Sequence, residues 1–231
     1  MPSGGYAAAP MDLLYTAHVP PGDGPFPTIL ALHGWGASAH DLLGLAPILH
    51  AGQALVLSPQ GPLAFDIGQG MAGHGWFQIG AGAPPGIADI QASADRVRGF
   101  LDKAQERYPI DPRKVVVMGF SQGGVIGYDL VLRDPARFAG MMALSSWLPE
   151  DLDQSIPKQD AHDNFPVLVV HGTQDPMIPV ARAQESRERL IARGLGLTYR
   201  EYEMEHTIAP EALRDILGWL EDKVISPLVL A

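Results

Sequence analysis

Gly119-Phe120-Ser121-Gln122-Gly123 holds a serine with a glycine two residues away on either side. That spacing suits a sharp turn that raises a hydroxyl, with the glycines letting neighbouring backbone come close. A serine hydroxyl is a weak nucleophile at neutral pH, so it needs a base within reach and an acid to orient that base. Where a strand–turn–helix unit carries the serine, the acid and then the histidine follow it along the chain. Asp175, in His171-Gly172-Thr173-Gln174-Asp175-Pro176, and His206, in Glu205-His206-Thr207, meet that order. The chemistry implied is acyl transfer through a covalent serine intermediate. Each residue also has a plainer reading. Ser121 could be incidental to a Gly-rich turn, Asp175 an Asx-turn residue before proline, and His206 an exposed loop histidine. His171, at a strand end, and His162, in a polar loop, fit the base less well.

Acyl transfer places negative charge on the carbonyl oxygen, which calls for two aimed donors. The backbone N–H of Gln122, at the start of a helix, is one candidate. The N–H of Trp35, in His33-Gly34-Trp35-Gly36-Ala37-Ser38, is the other. His33 reads as structural, because the chain has no H-E-x-x-H and no clustered carboxylates, and no metal is expected.

These residues need a scaffold. Thr28–Leu32, Ala54–Leu57, Val115–Met118, Met141–Leu144 and Val167–Val170 are continuous apolar runs. Strands covered on both faces read that way, as in a parallel sheet. The alternation Leu197–Met204 suggests the last strand. Ile90, Ala94, Val97, Leu101, Ala104 and Tyr108 mark one face of a helix, and Leu213, Ile216, Leu217, Leu220 and Val224 mark another. Gly123–Leu132 is apolar all round except at Asp129, which predicts a central helix. Strand and helix alternate, so the expected fold is α/β, a doubly wound, mostly parallel sheet with helices on both faces. No composition break separates a second domain, so residues 1–231 are read as one. The nucleophile motif then falls at the end of Val115–Met118, and Asp175 just beyond Val167–Val170, where sites gather in open sheets. Two long segments, Gly61–Gly86 and Ser145–Phe165, interrupt the rhythm and are candidate binding walls or mere surface excursions. They supply Trp76, Phe77 and Trp147, which with Met177 and the loop residue Trp35 are the candidate substrate-binding residues, though as apolar residues each reads first as packed.

Composition narrows the classes. Of 231 residues, 46% are hydrophobic and 18% charged, enough apolar matter for a core and too little charge for disorder. There is no cysteine, which removes disulfides and a cysteine nucleophile. The formal charge is −10, and no Lys or Arg precedes Arg96, so nucleic acid is not an expected partner. No stretch reaches the roughly 18 apolar residues that suggest a transmembrane helix, so stable membrane insertion is not expected. The N-terminus lacks the basic residue and apolar run of a secretory signal, and cytoplasmic residence is the default expectation. The apolar tail Pro227–Leu230 is a candidate homodimer contact, or packs on its own chain.

His33-Gly34-Trp35-Gly36, Trp76-Phe77, Gly119-Phe120-Ser121-Gln122-Gly123-Gly124, Ala143-Leu144-Ser145 with Leu148-Pro149, His171-Gly172-Thr173-Gln174-Asp175-Pro176 and His206 occur together and in order. In this the chain resembles the phospholipase/carboxylesterase family of α/β-hydrolases, over roughly Pro27 to Leu220. The resemblance implies a serine carboxylesterase acting without a cofactor on a small-molecule ester of short to medium chain, or on thioesters or lysophospholipids. By carry-over, Ser121 is nucleophile, His206 base and then acid, Asp175 the orienting acid, and the N–H groups of Trp35 and Gln122 the oxyanion hole. Two departures stand out: Glu205 where the family usually has glycine, and Gln78 where it tends to an acid. An extra carboxylate beside His206 could raise the imidazole pKa or compete with Asp175. The rival readings are a peptidase or C–C hydrolase on the same scaffold, and a catalytically silent small-molecule binder, for which Glu205 is the supporting feature.

Overall fold

The computed structural model describes residues 12–80 and 85–226. In chain order the first half has strands β1 (Tyr15–His18), β2 (Phe26–Leu32), β3 (Leu55–Pro59), β4 (Leu63–Asp66) and β5 (Ala72–Gly75), then helix α1 (Ile87–Arg107). The second half alternates: β6 (Ile110–Phe120), α2 (Gln122–Arg133), β7 (Gly140–Leu144), α3 (Glu150–Ser155), β8 (Pro166–Gly172), α4 (Val180–Ala192), β9 (Gly196–Tyr202) and α5 (Pro210–Leu220). Seven strands form one sheet in the order β1-β3-β2-β6-β7-β8-β9, while β4 and β5 pair as a separate hairpin. Only the β1–β3 pairing in the large sheet is antiparallel.

Alternate residues of each central strand face opposite layers. Leu30, Leu32, Val115, Val117, Val167 and Val169 pack with Ile90, Val97 and Leu101 of α1, Val125 of α2 and Leu190 of α4. Their neighbours Ile29, Ala31, Val116, Met118, Leu168 and Val170 pack with Ala212, Ile216 and Leu220 of α5. Each fully buried aliphatic side chain contributes roughly 1.5–3 kcal/mol. Stability is therefore concentrated along the strand middles, leaving the strand ends to carry strained turns. Because β2, β6, β7, β8 and β9 are parallel, their C-terminal ends share one edge of the sheet. The segments holding Trp35, Ser121, Trp147, Asp175 and His206 all leave from that edge.

The five apolar runs each fall in a strand, with Ala54 standing just before β3, and α2 is buried from Gln122 through Leu132. The last strand ends at Tyr202, short of Met204, and α5 stops at Leu220, continuing as one π turn over Glu221–Ile225. β1 has no apolar run, since its four residues are only half-buried and their order comes from pairing with β3. α4 buries Ala183, Ser186 and Leu190, a helical stripe with one large apolar residue, which hides it from hydrophobic periodicity. The segments Gly61–Gly86 and Ser145–Phe165 contain the β4–β5 hairpin and α3 respectively. The tail Pro227–Leu230 lies outside the described residues. Among the described residues, no helix is long and apolar enough to cross a membrane.

Candidate active site

β6 ends at Phe120 and α2 begins at Gln122, so Ser121 alone turns the chain. Its φ of 51° and ψ of −118° lie where non-glycine residues are rare, a strain of about 1–3 kcal/mol. Three bonds hold it there. The Ser121 N–H donates to Leu144 O at 2.9 Å, and its carbonyl accepts from Ser146 Oγ at 2.7 Å and from Gly124 N–H at 3.0 Å. The approach of the elbow to β2 is close enough that a Cβ on Gly123 would stand 2.0 Å from Leu32 O. Only a glycine fits there.

Asp175 and His206 come after β8 and β9, at one end of the sheet. Asp175 follows β8, and its side chain is fully buried. Its Oδ1 accepts the N–H groups of Met177 and Ile178, both at 2.8 Å, and its Oδ2 accepts Nδ1–H of His206 at 2.7 Å. With Nδ1 committed as donor, the neutral imidazole keeps its lone pair on Nε2. His206 lines the same cavity as Ser121, and its ring lies 4.8 Å from that of Phe120. Among the described residues, no hydrogen bond joins Ser121 Oγ to His206 Nε2. Such contacts are commonly long without substrate and tighten once it is bound. Glu205 is exposed, and the Nδ1 it was expected to compete for bonds to Asp175. His171 is buried, donating through Nε2 to Ile178 O at 2.8 Å, which fixes the strap after Asp175.

Trp35 and Gln122 line the cavity beside Ser121. The loop after β2 passes directly over the elbow, since a Cβ on Gly34 would come within 3.3 Å of Ser121 Cβ. His33 locks that loop: Nδ1–H donates to Gly34 O at 2.8 Å, and Nε2 accepts Gly61 N–H at 2.9 Å. Burial holds its pKa below the usual histidine value, so the ring is a neutral clamp rather than a base. The Gln122 side chain has a part that the motif did not disclose. Its Oε1 accepts Trp76 N–H and its Nε2 donates to Phe77 O, both at 2.7 Å, tying the Gly-rich segment to the elbow.

Trp76 corrects an expectation. It is fully buried, its ring lies 5.2 Å from that of His33, and its Nε1–H donates to His33 O at 2.9 Å. Its backbone N–H and carbonyl are engaged by Gln122 and Ser93, so the residue belongs behind the loop and its neighbour Phe77 faces the cavity. Phe77, Trp147 and Met177 do line the cavity, of about 610 Å³, as does Trp35, stacked at 4.1 Å on Phe65. Ile79, Pro85, Ile178, Pro179 and Arg182 also stand in the wall among the described residues and were not anticipated. A smaller hollow of about 330 Å³, with Asp41, Leu42 and Ile208 in its walls, opens on the other side of His206. Among the described residues, no group of His, Asp or Glu is arranged to hold a metal ion.

Comparison with known proteins adds an independent line. A family model described as phospholipase/carboxylesterase matches residues 15–224. Acyl-protein thioesterase 1 of Mycosarcoma maydis is 28% identical over 93% of this chain and 99% of its own length. Acyl-protein thioesterase 1 of Gibberella zeae is 27% identical over 83% and 85%. Among solved structures, esterase PE8 superposes with a TM-score of 0.78 at 23% identity, over 92% of this chain and 99% of that one. The Bacillus cereus carboxylesterase gives 0.78 at 22%, over 92% and 95%. At such identities the solved structures speak to the fold, which is that of the α/β-hydrolases.

Proposed function

The chain belongs to the phospholipase/carboxylesterase family and is a serine hydrolase, and we propose that it cleaves short- to medium-chain carboxylic esters, or the corresponding thioesters, through an acyl-enzyme on Ser121. The observation that carries this reading is the Asp175–His206 bond of 2.7 Å, made from a fully buried carboxylate, with the imidazole on the cavity that Ser121 lines.

The mechanism follows from the groups present. Ser121 Oγ attacks the carbonyl carbon while His206 Nε2 takes its proton. Asp175 keeps Nδ1 protonated and stabilises the imidazolium that forms. The oxyanion accepts from the N–H groups of Trp35 and Gln122, the latter at the positive end of α2. The carbon–oxygen or carbon–sulfur bond to the leaving group then breaks, and His206 returns the proton to the departing alkoxide or thiolate. Water repeats the sequence on the acyl-enzyme, releasing the acid and restoring the serine. No step draws on a cofactor.

The substrate class rests on the cavity. An apolar space of about 610 Å³ walled by Trp35, Phe77, Trp147 and Ile178 can bury an acyl chain of short to medium length. The thioesterase relatives are named for acyl-proteins, and acylated peptides serve as the thioester arm of the same proposal. A panel of p-nitrophenyl esters, acylated peptides and lysophospholipids tests it. The expected profile has kcat/KM highest for acyl chains of about four to eight carbons and lower for long ones. A maximum at palmitoyl substrates would overturn the chain-length assignment.

A further inference from the structure

Among the described residues, Arg182 is the one arginine or lysine lining the cavity, and no step of the proposed reaction uses it. It stands in the first turn of α4, which contains no acidic residue. A cation there opposes the helix dipole, whose N-terminal end favours negative charge. Most arginines of this acidic chain, Arg98, Arg133, Arg137, Arg189 and Arg193 among them, are paired with carboxylates. Among the described residues, Arg182 has no carboxylate within ion-pair distance. Its guanidinium instead lies 5.9 Å from the centre of the Trp147 ring, on the cavity wall.

The placement is built in. Ser186 Oγ donates to Arg182 O at 2.7 Å and accepts Leu148 N–H at 2.8 Å, so one buried hydroxyl joins the first turn of α4 to the segment carrying Trp147. Arg182 and Trp147 are thereby held together, the indole as an apolar wall and the guanidinium over its ring. Such a pair accepts a carboxylate through two parallel N–H donors while the attached methylene chain lies on the aromatic face. A cavity of this volume is on the order of 10 Å across, enough for a short chain between the reacting carbonyl and a terminal anion.

Resting on the esterase reading above, we infer that Arg182 is a specificity-determining residue that selects esters bearing an anionic group at the far end of the arm filling the Trp147 side of the cavity, such as half-esters of dicarboxylic acids. The chain's net charge of −10 works against an anionic substrate, so the selection must be local to this guanidinium.

The test compares matched charged and neutral substrates on each arm. Monomethyl adipate against dimethyl adipate puts the charge on the acyl arm, and 6-acetoxyhexanoate against its methyl ester puts it on the alcohol arm. In the wild type, one pair is expected to show a KM lower by roughly three- to tenfold for the charged member, the range of a partly solvated charged hydrogen bond. Arg182→Gln should bring that KM ratio to about one, and Arg182→Lys should keep part of it. The pair that responds identifies the arm. A wild-type ratio near one on both arms, or a ratio that Arg182→Gln leaves unchanged, overturns the inference. Hydrolysis of the neutral esters in the same assays separates this failure from that of the esterase reading, which would abolish turnover of all four.

Discussion

Around one cavity, the elbow side and the rim side are built in opposite ways. On the elbow side Ser121 is strained yet held by three hydrogen bonds, His33 clamps the loop above it, and Gln122 ties Trp76 and Phe77 to the same helix start. Side chains there are buried, and both nitrogens of His33 and both side-chain polar atoms of Gln122 have partners. On the rim, Ile79 and Met177 are 54% and 69% exposed, and the Arg182 guanidinium lies by the Trp147 ring with no carboxylate partner among the described residues. The difference separates two tasks. Positioning a nucleophile against an oxyanion site needs geometry that the core over-determines, whereas recognition of the substrate's far end can sit on residues whose replacement costs little stability.

That contrast predicts a graded series. Ser121→Ala should lower ester turnover by roughly 10⁴-fold or more with the fold retained, read by kcat and circular dichroism. Next is Gly123→Ala, whose new Cβ meets Leu32 backbone that cannot move aside; a loss of about 3 kcal/mol or more is expected in urea unfolding. His33→Phe should cost about 1–3 kcal/mol, because Gly61 N–H and Gly34 O each lose a buried partner. This variant also has a pH signature. The folded pKa of His33 is lowered by burial, so below the unfolded value of 6.5 the unfolded chain takes up a proton that the folded one refuses. Its contribution to stability is complete above that pH and falls as the medium is acidified, and His33→Phe should lose that part of the slope. Smallest is Met177→Ala on the rim, expected to change stability by less than about 0.5 kcal/mol while altering KM among acyl chains. A rim variant as damaging to the fold as Gly123→Ala would break the contrast.

The same contrast marks what could be read from the chain. The elbow is a local pattern, so strand, turn and helix around Ser121 were legible together, and Asp175 and His206 followed from their order beyond later strands. Trp76 and Phe77 were legible as aromatic residues at a wall, but not which of the two faces inward. That choice is made by hydrogen bonds of Trp76 to Gln122 and His33 and from Ser93, all more than fifteen positions away in sequence. Arg182 escaped because α4 itself was not foreseen: Ala183 and Ser186 are too small and too polar to announce a buried face. Sheet positions are dictated by continuous apolar runs, whereas the rim is assembled from residues whose meaning arises only once the strands are ordered.

In the proposed mechanism, Ser121 owes its reactivity to His206 and Asp175. Treating the folded protein with a fluorophosphonate probe and locating the adduct by peptide mass mapping tests it most directly. The predicted result is a single adduct on Ser121, absent in Ser121→Ala and formed at least about 100-fold more slowly in Asp175→Asn. An unlabelled Ser121 in folded protein, or labelling at an undiminished rate when Asp175 is replaced, would contradict it.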